Sequence, residues 1–173
     1  VIGMVGLLKN IEQNTSMEFK DAGDFIVTLG ALNGYLGGSE YLSIIHNKIQ
    51  GPIPHLNMEL EMGVQELCLE AIKQGIIKSA HDLSDGGLAV NICESLMYSE
   101  KGIGVELNVD RKLRDDELLF GECQSLIVVT LEEPVLYEND GSFQTMTPQI
   151  ARMRHLTYSS KFYVKMKMTR IKR

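Results

Sequence analysis

Apolar positions recur with two distinct periods through the first 130 residues, and those periods mark out the elements. Asp24-Phe25-Ile26-Val27-Thr28-Leu29-Gly30 is a run of β-formers closed by glycine and predicts a strand. From Asn57 to about Gln74, the residues Leu60, Val64, Leu67, Cys68 and Ile72 recur at the spacing of an amphipathic helix. Asn57 is its expected cap, and Gly75 suits the left-handed position that ends it. Ile76 to Ala80 predicts a short strand. From Gly86 to about Ser99, Leu88, Val90, Ile92, Cys93, Leu96 and Met97 give a second helix so broad an apolar face that it should be well buried. Gly102–Leu107 and Gln124–Thr130 predict two more strands. Asp115-Asp116-Glu117 opens a short helix with acids in its first turn, as the helix dipole favours.

The remaining segments are turns, connectors and one further helix. Residues 1–8 are apolar with little alternation and read as a buried strand, followed by a polar connection from Lys9 to Lys20. Asn33 to Gly38 is a glycine-rich loop running into a short helix capped by Ser39, with Leu42, Ile45 and His46 expected to face inward. Pro52 and Pro54 make Gln50–His55 an extended connector, because closely spaced prolines forbid helix interior. Beyond the strand at residues 1–8, four strands and four helices alternate in this body without regular βαβ spacing. The pattern predicts an α+β fold, a sheet with helices packed on one face.

Charge changes the picture at the C-terminal end. Residues 1–150 carry nine Lys/Arg and all 23 Asp/Glu, a net −14, whereas residues 151–173 carry eight Lys/Arg and no acid. No Asp or Glu follows Asp140. So sharp a shift separates a globular body from a basic tail. Tyr158, Phe162 and Tyr163 are interleaved with the basic residues, a composition compatible with nucleic-acid binding, but no motif supports that reading over a plain extension. No run approaches the roughly 18–20 apolar residues of a membrane span. The apolar start lacks a basic leader and a cleavage site, so it is not read as a signal peptide. Cys68, Cys93 and Cys123 lie far apart with no C-x-x-C pair, which argues against a disulfide framework or zinc site and for a reducing, cytoplasmic setting. Cys68 and Cys93 are expected in the core.

Polar chemistry concentrates in one stretch, Ala80-His81-Asp82-Leu83-Ser84-Asp85-Gly86-Gly87-Leu88-Ala89-Val90. Two carboxylates and a hydroxyl precede two glycines at a helix start. Such a turn can bring backbone N–H groups to an anion, and its oxygens can hold a hard cation such as Mg2+. The same residues also suit a simple capped helix, with Ser84 or Asp85 as the cap and the glycines making the turn. Gly37-Gly38-Ser39-Glu40 divides in the same way, between a second backbone cradle and a plain capped loop. Glu122 and Gln124 read equally as cleft groups or solvated strand ends. His46 and His55 have no partner at metal-ligand spacing.

Four segments, in order, carry a family resemblance. His81-Asp82-Leu83-Ser84-Asp85-Gly86-Gly87-Leu88-Ala89-Val90 resembles the HD-x-SDGGL-A-V signature of phosphoribosylformylglycinamidine synthase. Val1-Ile2-Gly3-Met4-Val5-Gly6, Leu36-Gly37-Gly38-Ser39-Glu40-Tyr41 and Leu119-Phe120-Gly121-Glu122-Cys123-Gln124-Ser125 resemble three further elements of that family. Cys123 and Leu126 stand where the family usually has Ser and Arg. The match covers about residues 1–133, leaving 134–173 as an unmatched basic segment expected to be poorly ordered.

The resemblance implies the C-terminal domain of the enzyme's second half, of the aminoimidazole ribonucleotide synthetase type. The family's reaction activates the amide oxygen of formylglycinamide ribonucleotide with ATP, and ammonia then displaces phosphate to give the amidine. The cofactors implied are ATP and Mg2+. Asp82 would be the metal ligand, Ser84 the nucleotide contact, and Asp85, Gly86 and Gly87 the rest of the nucleotide-binding turn. No catalytic residue is implied within this chain. The family's catalytic histidine, its main Mg2+ ligands and its G-G-N-x-S segment precede the match. The chain is therefore expected to be a fragment, inactive alone, whose partners are the N-terminal domains, a glutaminase subunit and a small bridging subunit. Other expectations remain open: a related synthetase or kinase of the superfamily, or a non-catalytic scaffold that keeps the fold.

Overall fold

A computed structural model describes residues 3, 5–107, 113–132, 135–139, 142–146 and 166–170. The elements run β1 (Phe25–Leu29), α1 (Glu40–His46), α2 (Met58–Lys73), β2 (Ser79–Asp82), α3 (Gly87–Met97), β3 (Ile103–Leu107), α4 (Asp115–Phe120), β4 (Ile127–Leu131), β5 (Val135–Asn139), β6 (Ser142–Met146) and β7 (Met166–Arg170). Five strands form one sheet in the order β2-β4-β1-β7-β3, and every pairing in it is antiparallel. β5 and β6 form a separate hairpin.

The sheet is apolar on both faces because β1 and β4 are continuous runs of β-formers. Successive strand side chains point to opposite faces. Ile26 and Val128 join Leu88 and Ile92 of α3 and Leu118 of α4 in one cluster. Val27, Leu29, Val129 and Leu131 join Val64, Leu67, Cys68 and Ala71 of α2 in the other. Each fully buried aliphatic side chain contributes about 2 kcal/mol by its removal from water. The α+β class expected from the sequence is therefore the observed one, but its layering differs. α2 covers one face of the sheet while α3 and α4 cover the other. The reason lies in β1 and β4, whose unbroken apolar runs leave both faces needing cover. Buried polar groups on these strands are matched across the ladder: Ser79 and Thr130 share a hydrogen bond of 2.6 Å between their hydroxyls.

The ends of α1 and α2 follow the sequence signals. Asn57 Oδ1 accepts from Leu60 N–H at 3.1 Å, and Ser39 Oγ accepts from Leu42 N–H at 3.3 Å. Gly75 adopts φ +67° just beyond α2. Ahead of β1, β2 and β3 an ion-pair cluster ties together the segments that lead into these strands. Lys78 Nζ lies 2.9 Å from the buried Asp24 and 3.2 Å from Asp21, which also pairs with Lys101 at 2.8 Å. Burial opposes the charge of Lys78, but the hydrogen bonds to Asp24 and Asp21 outweigh it and hold its pKa above the ordinary lysine value. Burial pushes the Cys68 thiol pKa up.

Several sequence expectations are corrected. Val5 and Leu7 are fully exposed and residues 5–8 belong to no strand, because an apolar run becomes a strand only with an edge to pair with. Val1, Ile2 and Met4 lie outside the described residues. α1 buries none of its residues, and Ile45 and His46 are exposed. α3 is buried along only one stripe: Val90, Cys93 and Met97 face outward, so Cys93 is not a core residue. The sequence places no element after Pro134, whereas β5, β6 and β7 lie there, and β7 sits between β1 and β3 in the main sheet. Its ladder needs only backbone groups, which hydropathy patterning does not report.

Candidate functional site

The Ala80–Val90 stretch spans the end of β2, a tight turn and the start of α3. Asp82 closes β2, and Leu83 N–H donates to Leu126 C=O at 3.0 Å, which pins the turn to the segment leading into β4. Asn91 on α3 reaches back and donates from Nδ2 to the Asp82 carbonyl at 2.7 Å. His81 is half-buried between β2 and α3, with Nε2 3.5 Å from the Glu94 carboxylate and Nδ1 3.4 Å from Ser95 Oγ. Its ring therefore ties strand to helix.

Neither Ser84 nor Asp85 caps the helix. The N-cap of α3 is Gly86 at φ +80°, with no side-chain cap. Ser84 Oγ instead donates to Asp82 Oδ2 at 2.7 Å, and Asp82, Ser84 and Asp85 are all exposed. Both glycines have conformational reasons to be there. Gly87 has φ +68°, and a Cβ on it would come within 2.8 Å of Gly121 O and of Phe120 C. Their amides have internal acceptors: Gly87 N–H donates to Ser84 C=O at 3.2 Å, and Gly86 N–H donates to Glu122 Oε1 at 2.9 Å.

Glu122 also connects this turn to the second glycine loop. The same Oε1 accepts from Glu40 N–H at 2.9 Å, at the start of α1, and Glu122 N–H donates to Tyr35 C=O at 2.8 Å. Phe120 stacks on Tyr41 with ring centroids 4.9 Å apart, and Cys123 Sγ accepts from Asn33 N–H at 3.2 Å. Ser125 holds φ +57°, an uncommon conformation for a residue with a Cβ. Thus three segments far apart in sequence, 33–41, 81–91 and 119–126, meet at one place. The role of Glu122 was left open by the sequence, because its partner amides lie 82 and 36 residues away. No local pattern signals such a contact.

The turn suits a hard cation in one respect. Mg2+ takes oxygen ligands, often one or two carboxylates together with water and phosphate oxygens. Asp82 and Asp85 offer exposed carboxylates with Ser84 between them. Among the described residues no group of three or more His, Cys, Asp or Glu is placed to hold a metal ion. The donor set therefore fits a contribution of one or two ligands, not an all-protein cage.

The family model described as AIR synthase related protein, C-terminal domain, matches residues 21–139. Phosphoribosylformylglycinamidine synthase subunit PurL from Alkaliphilus metalliredigens is 46% identical over 132 residues, covering 76% of this chain and 18% of that protein. The PurL subunit from Anaeromyxobacter sp. (strain K) is 40% identical over 156 residues, covering 86% of this chain and 20% of that protein. The chain thus spans about a fifth of the length of these relatives. Among solved structures, Thermotoga maritima PurL complexed with ADP superposes with a TM-score of 0.58 at 16% identity, over 93% of this chain and 24% of that one. PurL from the same organism complexed with FGAR gives 0.59 at 18% identity, over 92% of this chain and 26% of that one. These two likenesses establish the shared fold. With the sheet, the converging glycine loops and more than half of the chain matched, this protein belongs to the family of AIR synthase related proteins, as its C-terminal domain.

Proposed function

We propose that this domain forms one wall of a nucleotide–Mg2+ cleft in an ATP-dependent ligase that converts formylglycinamide ribonucleotide to its amidine during purine biosynthesis. The observation that carries the reading is the exposed Asp82–Ser84 pair at the meeting point of three motif segments. Its support is the 40–46% identity to PurL subunits named as phosphoribosylformylglycinamidine synthase. Thermotoga PurL has been solved with ATP, with ADP and with FGAR.

In this reading Asp82 is the metal ligand and Ser84 the nucleotide contact, with Asp85, Gly86 and Gly87 completing the nucleotide-binding turn. Bound Mg2+ would neutralise phosphate charge. Gly86 and Gly87 contribute chiefly by permitting the tight backbone path, since their amides already have acceptors. Asn91 fixes the Asp82 backbone, and Leu83 anchors the turn to the sheet. The opposite wall and the catalytic groups belong to the remaining domains of the synthetase. Exposed Ile44, Ile45, Ile49 and Ile53 are suited to cover by such a domain. A glutaminase subunit and a small bridging subunit complete the assembly, in line with the solved PurLQS structure from Thermotoga maritima.

The test is to introduce Asp82→Ala and Ser84→Ala separately into an intact synthetase carrying this chain and to measure Mg2+–ATP binding by calorimetry. Each should weaken binding about tenfold or more, the effect of losing one charged or hydrogen-bonded contact of about 1.4 kcal/mol or more. The engagement of both glycine amides by internal acceptors favours a second reading, a scaffold that keeps the fold without binding nucleotide. Unchanged affinity in both variants would decide for that scaffold.

A further inference from the structure

We infer that Glu122 is a positioning residue, whose single carboxylate oxygen locks the Asp82–Ser84 turn and the Gly37–Glu40 loop into one rigid unit. This rests on the nucleotide reading of the turn and extends it to a residue that touches no nucleotide. One oxygen, Oε1, accepts from both Gly86 N–H and Glu40 N–H at 2.9 Å. Hydrogen bonds to an ionised acceptor are about twice as strong as neutral ones, so two on one oxygen make a firm joint. The Glu122 backbone is itself held, through its N–H, to Tyr35 C=O at 2.8 Å. Its flank is fixed by the Tyr41–Phe120 stack and by the close approach of Gly87 to Phe120 and Gly121.

The position of this joint gives it its consequence. Gly86 is the N-cap of α3, two residues after Ser84, and it has no side-chain cap of its own. Glu122 accepts from the N-cap N–H, the bond that a glutamate at the third helical position makes in a capping box; Ala89 stands at that position here and has no acceptor. Ser84 Oγ takes no part in the cap and donates to Asp82 Oδ2. With Glu122 in place the Asp82–Ser84 pair is presented in one orientation. Without it, Gly86 N–H and Glu40 N–H lose their shared acceptor, and the turn that carries the pair is no longer tied to the Gly37–Glu40 loop.

The experiment uses an intact synthetase carrying this chain, with Glu122→Ala, Glu122→Gln and Asn57→Ala as variants. Asn57→Ala removes the α2 cap, which lies outside the joined loops, and so controls for stability alone. Amide hydrogen exchange by mass spectrometry is read over residues 38–42 and 84–88, and Mg2+–ATP affinity by calorimetry. Glu122→Ala should speed exchange in both segments together by about tenfold and weaken nucleotide affinity by a similar factor. Glu122→Gln keeps an oxygen acceptor and should restore most of both. Asn57→Ala should change neither. Unchanged exchange at both segments in Glu122→Ala overturns the joint. So does a Gln variant as impaired as Ala, or an equal loss of affinity in Asn57→Ala. Failure of the nucleotide reading is a separate outcome, seen as unchanged affinity in Asp82→Ala, and the exchange data then still decide the joint.

Discussion

Gly87 is held at φ +68° with the Phe120–Gly121 backbone against the place where a side chain would begin. Gly87→Ala combines a left-handed strain of about 1 kcal/mol or more with a backbone clash that cannot relax cheaply. It should therefore lower stability by about 2–4 kcal/mol in urea unfolding and disturb the turn that carries Ser84. Two glycines at a helix start are legible in the sequence as a tight turn. The reason the second must be glycine is not, because it depends on a segment more than thirty residues away. Asp24 shows the same division. Its place at the head of a strand run is visible in the sequence, but its burial against Lys78 is not. Lys78→Met leaves that buried carboxylate without its cation, and should cost about 1–3 kcal/mol, read as a lowered urea midpoint.

Helix α3 is the element through which the sheet shapes the site. Leu88 and Ile92 anchor it in the core, while Asn91 and His81 fasten it to β2. Leu88→Ala should destabilise by about 2–5 kcal/mol, the usual range for emptying a buried leucine site. Asn91→Ala removes less packing but frees the Asp82 carbonyl. We expect a stability loss of about 1–2 kcal/mol, together with faster amide exchange across residues 82–86. The period of the apolar residues foretold both α2 and α3, along with the caps Asn57 and Ser39. It overstated the buried face of α3, because Val90, Cys93 and Met97 are apolar by type yet lie outside the stripe that meets the sheet. Hydropathy reports what a residue tolerates; packing decides where it goes.

For the whole molecule, charge and strand order govern the response to conditions. Hydrogen bonds from Lys20 and then Ser16 hold the Glu18 pKa down at about 2, below its ordinary 4.5, and pairing with Lys101 and Lys78 also lowers that of Asp21. Depressed carboxylate pKa values add stability that is present above the ordinary carboxylate range and lost as pH falls toward 2. Lys78 has the opposite sign: its raised pKa adds stability below the ordinary lysine value, lost as pH rises through the raised one. The thermal midpoint should thus stay level near neutrality and fall below about pH 4.5, with the acid limb flattened by Glu18→Gln. The effect per group is small, since Glu18 is about one-third exposed and screened by solvent. Strand order makes a further prediction. β7 is the ladder partner of β3 and adjoins β1, so truncation after residue 133 should lower the melting temperature and promote association through two opened edges. An unchanged melting temperature would instead place the domain boundary at 133–134.

The sequence by itself determined the α+β class, most helices and strands of the body, the caps, the Asp82–Gly87 turn and the family. These depend on local spacing, on glycine and capping chemistry, and on ordered motifs that can be read along the chain. Only the tertiary structure decided that helices cover both faces of the sheet, that β7 enters it, and that Glu122 rather than Ser84 or Asp85 engages the first amide of the turn. Those features rest on which distant backbone groups meet, and a hydrogen bond across 36 or 82 residues leaves no periodic trace in the chain.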